Sequence, residues 1–252
     1  MDCSNFSPSL VNFDEMKKMM DQIQKLQDVD GLSLKQALDR TFPKAYSGDD
    51  LPFPQEFKLS EGGSLSIRDA YMLACAASLA YEEEAIIKQR ATAWKMKNTE
   101  IFNNQVNQSF VMGNDKIIVV SFRGTNAWLD EIQDAMSAPM PIRLENGVHG
   151  NVHRGFYKFG VQLLCGDDFL SCIMKFRDNH QAIWITGHSL GGAMALLAGI
   201  SIGVLNDFTG LYTFGQPTSG DSVFTSCIPL KQKERFFRFV NANDPAPMVI
   251  PR

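Results

Sequence analysis

Apolar residues change their rhythm twice along the 252-residue chain. In residues 14–40, Met16, Met19, Met20, Ile23 and Leu26 recur at three- and four-residue steps, with Lys, Asp and Gln between them. That spacing predicts an amphipathic helix. Gly31 breaks the run, and Ser33 is placed to cap a second helix from about Leu34 to Arg40. A Met-rich stripe suits a membrane surface or a partner helix, although packing against the main domain is its more ordinary use. Residues 43–64 hold Pro43, Pro52, Pro54 and the pair Gly62-Gly63, which predicts a linker or extended arm.

From Leu65 the pattern is that of a folded α/β domain. Residues 68–89 read as a helix with a small apolar face of Ala70, Met72, Leu73, Ala76 and Leu79. Strands rich in β-branched and aromatic residues are predicted at about 92–97, 108–113, 116–122, 182–186, 211–214 and 236–241. Ile117 to Val120 and Ile183 to Ile185 are short unbroken apolar runs, as in strands buried on both faces. Helices are expected near 127–136, 155–178 and 190–205. Strands alternating with helices imply a mostly parallel sheet covered on both faces.

Composition narrows the function classes. The chain is 44% hydrophobic and 21% charged, with a net charge of −4 spread along its length. Nothing in that balance points to nucleic acid as a partner. The five cysteines are too scattered for a disulfide framework, and no Cys/His cluster suggests zinc. No metal or organic cofactor is implied. Residues 1–30 lack a continuous apolar stretch of the kind that directs secretion, and no window approaches a membrane span, so a cytoplasmic location is expected.

The sharpest chemical signal is Gly187-His188-Ser189-Leu190-Gly191. A G-x-S-x-G pentapeptide is common by itself, and context gives this one its meaning. Ala182-Ile183-Trp184-Ile185-Thr186 is a buried strand running straight into it, and Gly192-Ala193-Met194-Ala195-Leu196-Leu197-Ala198 is a helix running straight out. A serine between strand and helix sits on a turn too tight for side chains at its flanks, hence the glycines. The helix aims free amides at charge developing beside the serine. An ester carbonyl under attack becomes an oxyanion that needs two such N–H donors, each worth roughly 3–4 kcal/mol of barrier. One would be Leu190. The strand 116–122 ends in Arg123-Gly124-Thr125, and Thr125 can supply the other; an ordinary strand-end turn with a structural arginine would read the same way. After the strand 236–241 comes Asn241-Ala242-Asn243-Asp244-Pro245. Asp244, stiffened by the prolines after it, is placed to orient a catalytic histidine, or it is a solvated turn aspartate.

Taken together, these segments resemble the class 3 lipases, the fungal-type triacylglycerol lipase family. The matching residues are Phe122-Arg123-Gly124-Thr125, His153-Arg154-Gly155-Phe156, Thr186 through Ala193, Thr213-Phe214-Gly215-Gln216-Pro217 with Gly220-Asp221, and Val240 through Pro245. The resemblance implies an α/β-hydrolase fold over residues 61–252; the helical arm and linker at 1–60, read from their own pattern, carry no such resemblance. It implies a serine hydrolase that cleaves lipid esters through an acyl-serine, with transient contact at a membrane or lipid-droplet surface. By the same resemblance Ser189 is the nucleophile, Asp244 the triad acid, and Thr125 and Leu190 the oxyanion donors. His188 is structural within the elbow, and His153 matches a family position other than the triad base. Residues 126–137, with Trp128, Leu129, Ile132 and Met136 on one helical face, match the family's lid; a fixed amphipathic helix is the other reading.

One departure stands out. The family's histidine follows the aspartate, yet only eight residues follow Asp244 and none is histidine. His149, His153, His180 and His188 all precede Ser189. Three accounts are open: a longer lipase of which this is a part, lacking the C-terminal portion of the fold; an inactive lipase-like module that binds lipid; or His149 or His153 reaching the serine from an unusual direction.

Overall fold

The computed structural model describes residues 53–103, 108–124, 139–144, 146–158, 167–178, 180–201 and 207–240. The expected helices within 14–40 and at 127–136 lie outside the described residues, as do Thr125, the lid positions Trp128, Leu129, Ile132 and Met136, and Asp244. All the described residues except Val240 belong to one compact unit.

The chain enters through residues 53–64, which lie on the domain. Trp94 Nε1 donates to the Pro54 carbonyl at 2.8 Å, and Phe53 and Phe57 both pack on the Trp94 ring. Asp69, fully buried, accepts from the Ser60 amide and hydroxyl. Ser66 then caps helix α1 (Ile67–Leu79), its hydroxyl accepting the Asp69 amide.

The single helix expected at 68–89 is two. After α1 the chain turns at residues 80–83, where the Tyr81 amide donates to Ser78 and the Glu82 amide to Leu79. Helix α2 (Glu84–Ala93) follows and buries Ile87 and Ala91. The apolar rhythm runs through the break, and no Gly or Pro marks it. The strand expected at 92–97 is a second correction. Residues 92–93 close α2, Lys95 adopts φ 61°, and the 94–96 amides bond back to Arg90, Thr92 and Ala91. Trp94 and Met96 alternate with lysines as strand residues would, but here a tight turn drops both into the core.

The strands are β1 (Asn98–Asn103), β2 (Gln108–Gly113), β3 (Ile117–Phe122), β6 (Ala182–His188), β7 (Gly210–Phe214) and β8 (Phe236–Phe239). They form one sheet in the order β1-β2-β3-β6-β7-β8. β1, β2 and β3 pair antiparallel, and β3, β6, β7 and β8 pair parallel. A separate hairpin joins β4 (Pro139–Arg143) and β5 (His149–His153). It was not expected, because Pro139 and Pro141 mask a strand from its residues alone. Helix α3 (Asp167–Phe176) occupies part of the expected 155–178 helix, of which 159–166 lie outside the described residues. Helix α4 (Leu190–Ser201) follows β6 directly. Two short helices, α5 (Ser222–Cys227) and α6 (Leu230–Lys233), precede β8 and were also not expected.

Alternation along the strands separates two cores. Ile118, Val120 and Phe122 of β3, with Ile183 and Ile185 of β6, meet α4 and the hairpin on one face. Ile117 and Val119 of β3, with Trp184 of β6, meet α1 and α2 on the other. The sheet is therefore mostly parallel and carries helices on both faces, as the apolar runs implied.

Candidate active site

The parallel strands β3, β6, β7 and β8 end at a common edge, where Phe122 pairs with Gly187 and Phe214 pairs with both His188 and Phe239. Ligands of open α/β sheets bind in the crevice outside such carboxyl ends. Ser189 stands at this edge with φ 55°, a left-handed conformation rare for a residue bearing a Cβ. Such strain costs on the order of 1–3 kcal/mol and persists only where the surroundings enforce it. Here the Ser189 amide donates to the Phe214 carbonyl at 2.9 Å, and the Gly192 amide donates to the Ser189 carbonyl at 2.9 Å.

The flanking glycines are required by contact. A Cβ on Gly187 would lie 2.2 Å from the Gly191 carbonyl oxygen, and one on Gly191 would lie 2.2 Å from that of Phe122. Leu190 opens α4, so its N–H comes before the helix's own ladder of i→i−4 bonds begins. From the other side the end of β3 closes in. A Cβ on Gly124 would stand 3.4 Å from Ser189 Cβ and 2.7 Å from the His188 carbonyl. The residue after Gly124 is Thr125.

A layer of polar contacts backs this edge. The Tyr81 hydroxyl lies 2.9 Å from His188 Nδ1 and packs against the backbone of Gly124. Arg123 places its guanidinium 5.8 Å from the centre of the Tyr81 ring and donates to Gln108 Oε1 at 2.9 Å. Beyond β7, Thr213 Oγ1 donates to Gln216 Oε1 at 2.7 Å, Gln216 Nε2 donates to Ser219 Oγ, and Arg238 donates to the Gln216 carbonyl. Gln216 is thereby fixed against Gly192. Sequence reading passed over Tyr81, Gln108 and Arg238, whose roles depend on a turn and on cross-strand neighbours that no local motif marks.

The histidines have separate surroundings. Burial holds His188 below the ordinary imidazole range, so its ring is neutral at neutral pH. Burial also pushes His153 down to about 4. Its Nδ1 accepts the Phe156 amide at 3.3 Å, its ring stacks on Phe156, and its buried Nε2 has no partner among the described residues. His149 is exposed, with Nδ1 3.0 Å from the Gly147 carbonyl and its ring beside Cys227 Sγ. Among the described residues, neither His149 nor His153 hydrogen-bonds Ser189. His180 lies exposed shortly before β6, with φ 55°. Two grooves lie away from Ser189, one of about 690 Å³ at the opposite edge of the sheet and one of about 620 Å³ between β1 and α3. No group of His, Cys, Asp and Glu among the described residues could hold a metal ion.

A serine on a strained strand-to-helix turn, backed by a neighbouring strand end, has the geometry of a nucleophile elbow in the α/β-hydrolase fold. Residues 119–252 match the model of the family described as Lipase (class 3), and the chain belongs to that family. The chain is 34% identical over 148 residues to the secreted mono- and diacylglycerol lipase LIP4 of Malassezia restricta, covering 54% of this chain and 47% of that protein. It is 28% identical over 144 residues to the lipase of Rhizomucor miehei, covering 54% of this chain and 38% of that one. The chain thus spans about half the length of the curated relatives it matches, or less. Among solved structures, lipase II from Rhizopus niveus aligns with a TM-score of 0.56 at 25% identity, over 73% of this chain and 74% of that one. The lipase from Rhizopus microsporus var. chinensis aligns with a TM-score of 0.53 at 24% identity, over 81% and 76%.

The relatives correct the expected cytoplasmic location, because LIP4 and other Malassezia relatives are named as secreted. That expectation rested on a missing apolar stretch, and an absence of this kind carries no information about compartment. No helix among the described residues is long and apolar enough to cross a membrane.

Proposed function

We propose that this protein hydrolyses carboxylic esters of glycerolipids through an acyl enzyme formed on Ser189. The observation that carries the reading is Ser189 itself, held at φ 55° beside the ends of β3 and β7. In the proposed cycle the Ser189 hydroxyl gives its proton to a base as Oγ bonds to the ester carbon. The carbonyl oxygen, now negative, takes bonds from the Leu190 and Thr125 amides. The bond to the glycerol oxygen then breaks, the leaving alcohol takes up the proton, and water releases the acid by the reverse steps. Asp244 orients the base. Trp128, Leu129, Ile132 and Met136 form a lid that meets the lipid–water interface. The names of the Malassezia relatives suggest mono- and diacylglycerols as the first substrates to try.

A second reading, a lipase-like module that binds lipid without turnover, is favoured by one observation: among the described residues no histidine reaches the Ser189 hydroxyl. Turnover of a monoacylglycerol and of a short-chain nitrophenyl ester decides between the two. Hydrolysis that disappears in Ser189→Ala supports the enzyme. Lipid binding that survives Ser189→Ala, with no hydrolysis by either protein, supports the binding module.

A further inference from the structure

We infer that the Tyr81 hydroxyl is a positioning group that sets the distance between the two loops of the oxyanion hole. The inference rests on the reading of Ser189 as the nucleophile. Tyr81 lies in the turn between α1 and α2, far from both loops in sequence, and its oxygen touches each of them. It packs against the backbone of Gly124, and it sits 2.9 Å from His188 Nδ1 and 3.5 Å from the His188 carbonyl. Gly124 is the residue before Thr125, and His188 is the residue before Ser189. One oxygen therefore bridges the positions immediately ahead of one proposed amide donor and of the nucleophile whose neighbour supplies the other.

The contact is tight. A Cβ on Gly124 would lie 2.3 Å from the Tyr81 oxygen, so the strand end rests against the hydroxyl with no room for a side chain. The turn that carries Tyr81 is also tied down: Gln108 Nε2 donates to the Glu82 carbonyl at 3.3 Å, while Gln108 Oε1 accepts from Arg123. Tyr81, Glu82, Gln108, Arg123 and Gly124 thus close a ring of contacts from which the Tyr81 oxygen reaches the elbow at His188. Burial pushes the phenol well above its ordinary range, so the proton stays on through neutral pH. The neutral His188 ring can accept that proton at Nδ1, which leaves its own proton on Nε2. All of this chemistry belongs to the oxygen; the ring supplies bulk that a phenylalanine would supply equally well.

The test is Tyr81→Phe in the full chain, with kcat, KM, melting temperature and the rate of Ser189 phosphonylation measured beside wild type. The donors themselves survive this substitution and only their spacing relaxes. The expected loss is therefore about 10- to 100-fold in kcat, below the roughly 100- to 1,000-fold of deleting a donor. KM should stay within about twofold, since ground-state binding does not use the hole. Phosphonylation should slow in step with kcat. A merely structural role would lower the melting temperature and leave kcat unchanged below it, and that result overturns the inference. Should Tyr81→Phe melt below the assay temperature, ¹⁵N NMR of the wild type decides. An accepting His188 Nδ1 supports the inference, and a free Nδ1 overturns it. A wild type that neither turns over ester nor takes phosphonate removes the Ser189 reading and this inference with it. An active wild type with an unchanged Tyr81→Phe removes this inference alone.

Discussion

The two faces of the six-stranded sheet are joined to their helices by different means. On the face that carries the elbow, backbone meets backbone: Gly187 and Gly191 leave no room for a methyl, and α4 is almost wholly buried against β3, β6 and β7. On the other face, strand side chains reach up to helix carbonyls. Ser121 Oγ donates to Ala76 at 2.9 Å, Thr186 Oγ1 donates to Leu73 at 3.1 Å, and the Tyr212 hydroxyl bonds Ser64 and accepts from Ser66. Close backbone approach admits a single residue type and so writes itself into the chain as G-x-S-x-G. A hydroxyl reaching a carbonyl is worth about 1 kcal/mol net and has several chemical substitutes, so it leaves no motif. The elbow face is therefore the intolerant one, and the opposite face, apart from Tyr81 in the turn after α1, should absorb change.

The largest effect expected from that contrast is at Gly191. Gly191→Ala drives a methyl into the Phe122 carbonyl, an atom that cannot step aside, so soluble expression or ester turnover should fall at least about 100-fold. Gly199→Ala, deeper in the same helix, meets mainly the ends of the Leu211 and Ile185 side chains and should cost only about 1–3 kcal/mol by denaturant unfolding. Equal losses at the two positions would remove the special status of the elbow contact.

Next in size is the pH dependence of the elbow face, where His153 stacks on core residue Phe156. Its folded-state value, about 4, lies below the ordinary 6.5, so between those values the unfolded chain binds more protons. Stability is then fully present above about pH 6.5 and is lost as pH falls toward 4, by at most roughly 3 kcal/mol. His188, also lowered by burial, adds in the same direction. Thermal melts across that window should show the slope, and His153→Gln, which keeps an acceptor, should flatten most of it. An unchanged slope in that variant would take the proton uptake away from His153.

Smallest is the opposite face. Thr186→Val keeps shape and removes the bond to Leu73, and Ser121→Ala removes the bond to Ala76. Each should cost about 1 kcal/mol, with kcat unchanged. A kcat loss in either would show that this face sets the geometry of the site at more positions than Tyr81.

The same contrast explains what could be read before the fold was known. β2, β3, β6, β7 and β8 follow from apolar runs, and the elbow follows from glycines that backbone crowding demands. β1 was set six residues early: its polar edge composition is silent, while Trp94 and Met96 imitate a strand. The β4–β5 hairpin is hidden by Pro139 and Pro141, which tertiary pairing tolerates. The break at residues 80–83 carries no Gly or Pro, so Tyr81 read as one more helical residue. Its contact with Gly124 and His188 exists only once β3, β6 and α1 are assembled.

The central claim is that the Ser189 oxygen is a nucleophile facing solvent-borne esters at the carboxyl edge of the sheet. Peptide mapping by mass spectrometry after exposure to a fluorophosphonate tests it most directly. The account predicts one dominant adduct, on Ser189, that is absent from Ser189→Ala. An unlabelled Ser189, or labelling that persists unchanged in Ser189→Ala, would contradict it.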